Sequence, residues 1–264
     1  AKVAGFNGRT PDALAQAELA RDLGFDYGIA SMAALGDCLE QQMVHHMREL
    51  AKVMPMFGFY LLTGVGGVTL PYSFWRQLVD IENIHGIKMA PFDRYATIDV
   101  VRAVADAGRQ DDIALYTGND ESIIHDLVTP FRFGPEGEAP TVRICGGMLG
   151  QWGCWTKRAV ELLDEAHALV ASGGAITPDW LTLAAQITDA NGAIFDAIHN
   201  YAGSIPGVHE VLRRQGLLEG IWTLKRDEVL SPGQLEEIDR VCTAYPHLQD
   251  DAFVAQNLDR WLND

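Results

Sequence analysis

The chain has 264 residues, of which 48% are hydrophobic and 21% charged, and its formal net charge is −16. This length and composition are ordinary for a globular protein with one large domain or two small ones. The negative charge argues against nucleic acid and anionic membranes as partners, because their phosphate groups would repel the protein. No stretch reaches the roughly 18 apolar residues of a membrane span.

Strand and helix patterns alternate over the first 150 residues. Short apolar segments predict six strands, at 2–6, 27–31, 54–60, 84–89, 113–117 and 142–145. Helical periodicity predicts intervening helices at 10–23, 38–52, 71–81, 97–107 and 121–129. Strands that are apolar throughout and alternate with helices are typical of a parallel sheet covered on both faces. We therefore predict an α/β fold of the TIM-type (β/α)8 barrel class, here partial, with six of the eight strands.

The rest of the chain has only helical patterns. Helices are predicted at 155–172, 178–202, 207–216, 232–244 and 250–262. The polar segment 130–141, rich in Gly and Pro, is predicted to be an exposed insertion that serves as a flap or a subunit contact. We divide the chain into a partial β/α barrel at 1–154 and a C-terminal helical region at 155–264 that packs on the barrel.

The cysteines and histidines show no metal-binding spacing. The four cysteines form neither a CxxC pair nor a zinc pattern, and they are Cys38, Cys145, Cys154 and Cys242. We expect them to be buried free thiols in a reducing cytosol. The histidines include no H-x-H or H-E-x-x-H motif, so we expect neither a metal nor a cofactor. With no recognisable signal peptide, the predicted location is the cytoplasm.

Lys88 is the strongest candidate for a catalytic residue. It lies at the end of the apolar segment Ile84–Met89, and in a β/α barrel the carboxyl ends of the strands carry the active site. A desolvated lysine has a lowered pKa, so that part of it is the neutral amine that attacks a carbonyl group. The alternative is a lysine whose ammonium group reaches from the strand end into solvent.

Tyr60 ends the preceding predicted strand. Because consecutive strands of a parallel barrel are neighbours, its phenol could reach the amine of Lys88 or a bound substrate and transfer protons. The alternative is an aromatic side chain packed in the barrel. Together the two residues predict an imine-forming site.

The motifs around these residues resemble one enzyme family. Tyr60 is followed by Gly66-Gly67 and Leu70, then by Gly86-Ile87-Lys88, and 28 positions separate the tyrosine from the lysine. This pattern resembles the dihydrodipicolinate synthase / N-acetylneuraminate lyase family of class I aldolases. Val3-Ala4-Gly5-Phe6 at the start and Tyr116-Thr117-Gly118-Asn119-Asp120 at the end of the fifth predicted strand are similar to that family's third and seventh strands.

The resemblance implies a fold, a reaction and a set of roles. Lys88 would form the imine with a pyruvate-like 2-keto acid, Tyr60 would move protons, and Gly118 and Asp120 would lie near the substrate. It also implies a homodimer or homotetramer without a cofactor. The family's first two β/α units would be absent, and with them the residues that bind the substrate carboxylate. We therefore expect the chain alone to be inactive.

Departures from the family pattern point to a different substrate. Val65 stands where the synthases carry an arginine, and Ala34 and Leu35 stand where they carry a tyrosine that reaches a neighbouring subunit. Thr63, in place of the usual proline, and Arg94, in the loop after Lys88, are candidate substrate-binding residues. The alternative for Arg94 is an ion pair with Asp93 or Asp99.

Three functions remain open from the sequence. The first is a lyase or aldolase that acts on a 2-keto acid through Lys88. The second is a sugar-acid dehydratase of the same family. The third is a barrel that has lost catalysis and serves as a binding or scaffold protein.

Overall fold

The computed structural model describes residues 1–263, and its centre is a six-stranded parallel sheet. Each strand pairs with the strand that follows it in the sequence, so that β1 and β6 form the two edges. The strands are β1 (Val3–Phe6), β2 (Tyr27–Ala30), β3 (Met56–Leu61), β4 (Ile84–Ala90), β5 (Ala114–Thr117) and β6 (Ile144–Gly147). The predicted α/β class, six-stranded partial-barrel type, is confirmed.

Four helices of the same unit connect the strands and cover one face of the sheet. They are α1 (Thr10–Asp22), α2 (Glu40–Val53), α3 (Tyr72–Leu78) and α4 (Arg94–Asp106); a fifth, α5 (Ile123–Val128), follows β5 in the sequence. The helix-facing side chains of the central strands, such as Met56, Ile87 and Met89, are fully buried. Burial of these apolar side chains against α2, α3 and α4 supplies the main stabilisation of this part of the fold.

The chain forms two compact units. The first consists of Ala1–Asn119 and Thr129–Met148 and contains the whole sheet with α1–α4. The second consists of Asp120–Val128 and the chain from Leu149 onward, and it has its own apolar core. The predicted division at 154 remains a prediction of how the chain is organised.

The second unit is helical. Besides α5 it contains α6 (Thr156–Ser172), α7 (Pro178–Ile194), α8 (Ser204–Arg214), α9 (Gln234–Ala244) and α10 (Asp251–Asn263). The continuous helix predicted at 178–202 is wrong, because α7 ends at Ile194. Asp196 then adopts a left-handed conformation with φ of 57°, and Asn200 and Tyr201 do the same. An α-helix cannot continue through such residues.

Smaller differences concern the cysteines and the polar insertion. Cys154 is buried, but Cys145 is exposed and the other two are partly exposed, so that the expectation of four buried thiols is wrong. The strand predicted at 142–145 begins two residues later, at Ile144. Val142 instead forms an isolated antiparallel bridge with Phe131, which closes the base of the insertion.

Within residues 1–263, no helix is both long and apolar enough to cross a membrane.

Candidate active site

Lys88 lies near the carboxyl end of β4, a central strand of the sheet. Its backbone is in register with Phe59 on β3 and with Tyr116 on β5. Because side chains alternate between the two faces of a strand, Lys88 projects from the face opposite to buried Ile87 and Met89. The side chain is partly exposed. The lysine is therefore placed on the face of the sheet away from the helices of the first unit.

Two neighbours surround the aliphatic stem and the amine of Lys88. The amine nitrogen lies 4.8 Å from the centre of the Phe59 ring, within range of a cation–π interaction. On the other side is Gly118, at which a Cβ atom would lie 3.1 Å from Lys88 Cε and 2.7 Å from Ala90 Cβ. The absence of a side chain at Gly118 therefore leaves the space that the lysine stem uses.

Tyr60 is not brought to Lys88. It is in register with Met89, and its side chain therefore lies on the helix-covered face of the sheet. There its ring packs against the Trp75 indole at 5.2 Å, and its hydroxyl accepts a hydrogen bond from the backbone N–H of Leu70 at 3.2 Å. The predicted contact between the phenol and the amine of Lys88 is absent, and the reason is a bulge in the β3–β4 pairing.

The bulge lies at the start of the two strands. Met56 pairs with Ile84, an offset of 28 positions that would bring Tyr60 opposite Lys88 if it continued. The next pair is Phe57 with Gly86, so His85 is the extra residue and the offset becomes 29. A shift of one residue moves a side chain to the other face of the sheet. Phe59, rather than Tyr60, consequently lies beside Lys88.

Tyr60 and Thr63 line a separate cavity of about 270 Å³ on the helix side. Burial raises the pKa of the Tyr60 phenol, and the carboxylates of Asp93 and Asp99 raise it further. Asp93 caps α4 by accepting a hydrogen bond from the Ala96 N–H at 3.0 Å. The two predicted site residues in this cavity thus share an acidic environment that does not include the Lys88 face.

A different phenol shares the face of Lys88. Tyr116, the register partner on β5, projects from the same side of the sheet and is partly buried, which raises its pKa. The neighbouring thiol of Cys145 raises this pKa further, and its sulfur lies 3.3 Å from the Leu115 carbonyl oxygen. Tyr116 is not among the site residues predicted from the sequence. Its position four residues before Asp120, within the motif that resembles the family's seventh strand, was the available signal.

Arg94 is the first residue of α4. Its guanidinium carbon lies 5.3 Å from the centre of the Phe131 ring, a cation–π arrangement. The alternative of an ion pair with Asp93 or Asp99 also stays open: Asp93 caps α4, Asp99 pairs with Arg102 at 2.8 Å, and neither contact occupies the whole carboxylate. A role of Arg94 in binding a substrate carboxylate stays a prediction.

Asp120 belongs to the second unit, in which it is buried. One carboxylate oxygen accepts a hydrogen bond from the Gln151 N–H at 2.9 Å, and its backbone oxygen accepts one from Asn191. Its neighbour Glu121 was not predicted as a site residue. Burial, together with the carboxylates of Asp126 and Asp120, raises the pKa of Glu121 to about 7. Only the folded environment reveals this carboxyl, because nothing in its local sequence marks it.

Over residues 1–263, no group of three or more His, Cys, Asp or Glu side chains is placed to hold a metal ion. The chemistry available on the Lys88 face is that of an amine flanked by an aromatic ring, with a phenol and a thiol on the neighbouring strands. An amine in such a position can add to a carbonyl group.

Comparisons with known proteins identify the fold. No protein-family model and no curated protein matches the sequence. Among solved structures, a dihydrodipicolinate synthase from Oceanobacillus iheyensis is similar with a TM-score of 0.66 and 17% identity, over 93% of this chain and 73% of that one. An N-acetylneuraminate lyase from Fusobacterium nucleatum is similar with a TM-score of 0.64 and 16% identity, over 94% and 74%.

A third similar structure carries a ligand. It is the chloride-inhibited dihydrodipicolinate synthase from Acinetobacter baumannii complexed with pyruvate, with a TM-score of 0.66 and 19% identity, over 91% of this chain and 73% of that one. At these identities the likeness establishes a shared fold. The chain thus has the β/α architecture of dihydrodipicolinate synthases and N-acetylneuraminate lyases.

Proposed function

We propose that the protein is a class I lyase or aldolase in which the amine of Lys88 forms an imine with a pyruvate-like 2-keto acid. The observation that carries the proposal is the position of Lys88. It projects from the carboxyl end of a central strand, on the face away from the helices, with its stem between Phe59 and Gly118. In β/α barrels this end of the strands is where active sites lie.

The similar structures support the choice of substrate class. One of them, the Acinetobacter baumannii synthase, is complexed with pyruvate, and a Fusobacterium nucleatum N-acetylneuraminate lyase is also complexed with pyruvate. A ketone adjacent to a carboxylate is a strong electrophile for an amine. Loss of water from the adduct gives an iminium ion, which withdraws electrons from the neighbouring carbon and permits cleavage or formation of a bond there.

The proton-transfer role predicted for Tyr60 is not part of this proposal. On the helix side of the sheet, its hydroxyl accepts a hydrogen bond from the Leu70 N–H and its ring packs against Trp75. The position of Tyr60 is also the specific observation that favours the alternative, a barrel that has lost catalysis and binds a partner. Assembly into a homodimer or homotetramer, the cytoplasmic location and the roles of Arg94, Gly118, Asp120 and Thr63 remain proposals.

Reductive trapping tests the proposal directly. The full-length protein is incubated with pyruvate and borohydride, and the modified residue is located by peptide mass spectrometry. We expect an adduct on Lys88 that a Lys88→Ala variant lacks, whereas Lys52→Ala, which removes an exposed helical lysine, keeps it. No adduct on Lys88 with pyruvate or any other 2-keto acid would favour the binding-protein alternative.

A substrate screen then separates the two enzymatic reactions. Retro-aldol cleavage releases pyruvate and an aldehyde, whereas dehydration of a sugar acid releases water and leaves the carbon chain intact. Val65, exposed in the loop after β3, supplies no positive charge for a second carboxylate. We therefore expect 2-keto acids with hydroxylated tails to be better substrates than those with a second carboxylate.

A further inference from the structure

Asn119 is a fully buried amide at the end of β5, and it joins three segments of the first unit. Its oxygen accepts a hydrogen bond from the Phe92 N–H at 3.1 Å, and its nitrogen donates one to the Thr97 hydroxyl at 3.0 Å. Its own N–H donates to the Thr117 hydroxyl at 3.1 Å. Because a backbone N–H can only donate, the amide has one orientation that satisfies both contacts.

Phe92, which Asn119 holds, has an unusual backbone conformation. Its φ is 51°, in the left-handed region that side chains other than glycine rarely adopt. Among the described residues of the first unit, it is the one non-glycine residue with positive φ. It comes four positions after Lys88, in the short segment between β4 and α4. Strained residues of this kind persist where the surrounding structure holds them, and they are frequent at active sites.

Two further hydrogen bonds join the neighbours of Asn119 to the residues around Lys88. The Thr97 hydroxyl donates to the Asp93 carbonyl oxygen at 2.9 Å, which fixes the first turn of α4 to the segment after Lys88. On the β5 side, the N–H of Gly118 donates to the Met89 carbonyl oxygen at 2.6 Å. Gly118 is the residue against which the stem of Lys88 packs.

We infer that Asn119 is a positioning residue for Lys88: it holds the strained Phe92 segment and the end of β5 together, and thereby sets the place of the lysine stem between Gly118 and Phe59. The expected effect of Asn119 on imine formation rests on the proposed function. The geometry on which it depends is that of the first unit alone.

Two readouts on Lys88 test the inference in an Asn119→Ala variant. The first is the rate at which pyruvate and borohydride modify Lys88, which we expect to fall about tenfold or more, since small displacements of a reacting group have effects of that size. The second is the rate at which acetic anhydride labels Lys88, relative to exposed Lys52 in the same protein. We expect this ratio to change, because the lysine stem is no longer fixed.

A second pair of variants distinguishes positioning from stability. Phe92→Gly relieves the strained conformation, so that Asn119→Ala with Phe92→Gly should melt at a higher temperature than Asn119→Ala alone. If Asn119 positions Lys88, the double variant still shows altered labelling and slow imine formation. Recovery of both Lys88 readouts together with the melting temperature would overturn the inference, as would an Asn119→Ala variant that is wild-type in both.

Thr97 provides a milder test that leaves Asn119 in place. Thr97→Val removes the hydroxyl from the fully buried site, and Thr97→Ser keeps it. We expect the valine variant to shift both Lys88 readouts in the direction of Asn119→Ala, and the serine variant to resemble the wild type. If pyruvate fails to modify wild-type Lys88, the proposed function fails, but the acetic anhydride ratio still decides whether Asn119 positions the lysine.

Discussion

Tyr60 and Lys88, separated by 28 positions, lie on opposite faces of the sheet, because a bulge at His85 changes the pairing offset between β3 and β4 to 29. The same offset of 28 links Met56 and Ile84 before the bulge. One extra residue therefore determines which aromatic side chain lies beside the lysine. It is Phe59, whose ring centre is 4.8 Å from the amine.

Separate substitutions of Tyr60 and Tyr116 test which phenol transfers protons during imine formation at Lys88. Tyr60→Phe should change the rate of pyruvate trapping at Lys88 by less than about threefold, because the phenol is on the helix side. Tyr116→Phe, which keeps the ring on the face of Lys88, should slow trapping more. A phenol that relays protons contributes about 10²-fold or more, so the two outcomes are well separated.

Tyr60→Phe should also lower the stability of the protein. Tyr60→Phe leaves the Leu70 N–H without its hydroxyl acceptor, which should lower the free energy of unfolding by about 1 kcal/mol. Chemical denaturation of both variants provides this control. A Tyr60→Phe protein that is stable but traps pyruvate a hundredfold more slowly would contradict the observed register.

Gly118→Ala should obstruct the site. The new Cβ atom would lie 2.7 Å from Ala90 Cβ and 3.1 Å from Lys88 Cε, so that the lysine stem must move. We expect trapping at Lys88 to slow by about tenfold or more. Gly5→Ala, on β1 of the same sheet and with open space around its Cα, is the matched control and should behave as the wild type. If pyruvate traps Lys88 at the same rate in both variants, the lysine stem does not need the space beside Gly118.

The fold could be predicted from the sequence because apolar strands and amphipathic helices repeat with clear periods. The six strands and the parallel class follow from that pattern, as does Lys88 at a strand end. The register could not be predicted, because a bulge such as that at His85 leaves no signature in composition or period. The break after Ile194 was missed for a similar reason: Asp196 adopts a left-handed conformation, and one partner of its carboxylate, Ser231, is distant in sequence.

The site residues could likewise be predicted only where the sequence pattern itself marks them. Gly118 was found through a motif, and the structure gives it a physical role beside Lys88. Asn119, the adjacent residue, was passed over, since an asparagine at a strand end has no special chemistry until its hydrogen-bond partners are known. Spacing within one strand is thus readable from sequence, whereas contacts across strands require the register.

Glu121 should make stability depend on pH near neutrality. Its pKa is raised from the ordinary value of 4.5 to about 7, so the folded state binds the proton more tightly than the unfolded chain. Stability should therefore fall as the pH rises from about 4.5 to about 7, and it should be constant above that range. Glu121→Gln removes the titrating group and should be more stable than the wild type at pH 8, by about 2 kcal/mol at most.

The measurement is the urea midpoint of each protein at pH 5 and pH 8. Glu236→Gln, at an exposed position of α9, serves as the control and should keep the wild-type difference between the two pH values. An unchanged difference in Glu121→Gln as well would show that the carboxyl of Glu121 is ionised without cost in the folded protein.

Replacing Asp196 should strongly destabilise the second unit. Its buried carboxylate accepts hydrogen bonds from the Gly203 N–H at 3.0 Å, the Ser231 hydroxyl at 2.5 Å and His199 Nδ1 at 2.5 Å. Asp196→Ala leaves these donors without an acceptor and also places alanine in the left-handed region. We expect it to lower the free energy of unfolding by about 3 kcal/mol or more.

Two further variants separate the contributions at this position. Asp196→Asn tolerates the left-handed conformation and keeps one acceptor oxygen, so its loss should be smaller than that of alanine. Ser231→Ala removes a single donor and should lose about 1 kcal/mol. Urea denaturation followed by helical circular dichroism ranks the three. If Asp196→Ala unfolds at the same urea concentration as Ser231→Ala, the carboxylate does not hold the chain between α7 and α8 in its left-handed turn.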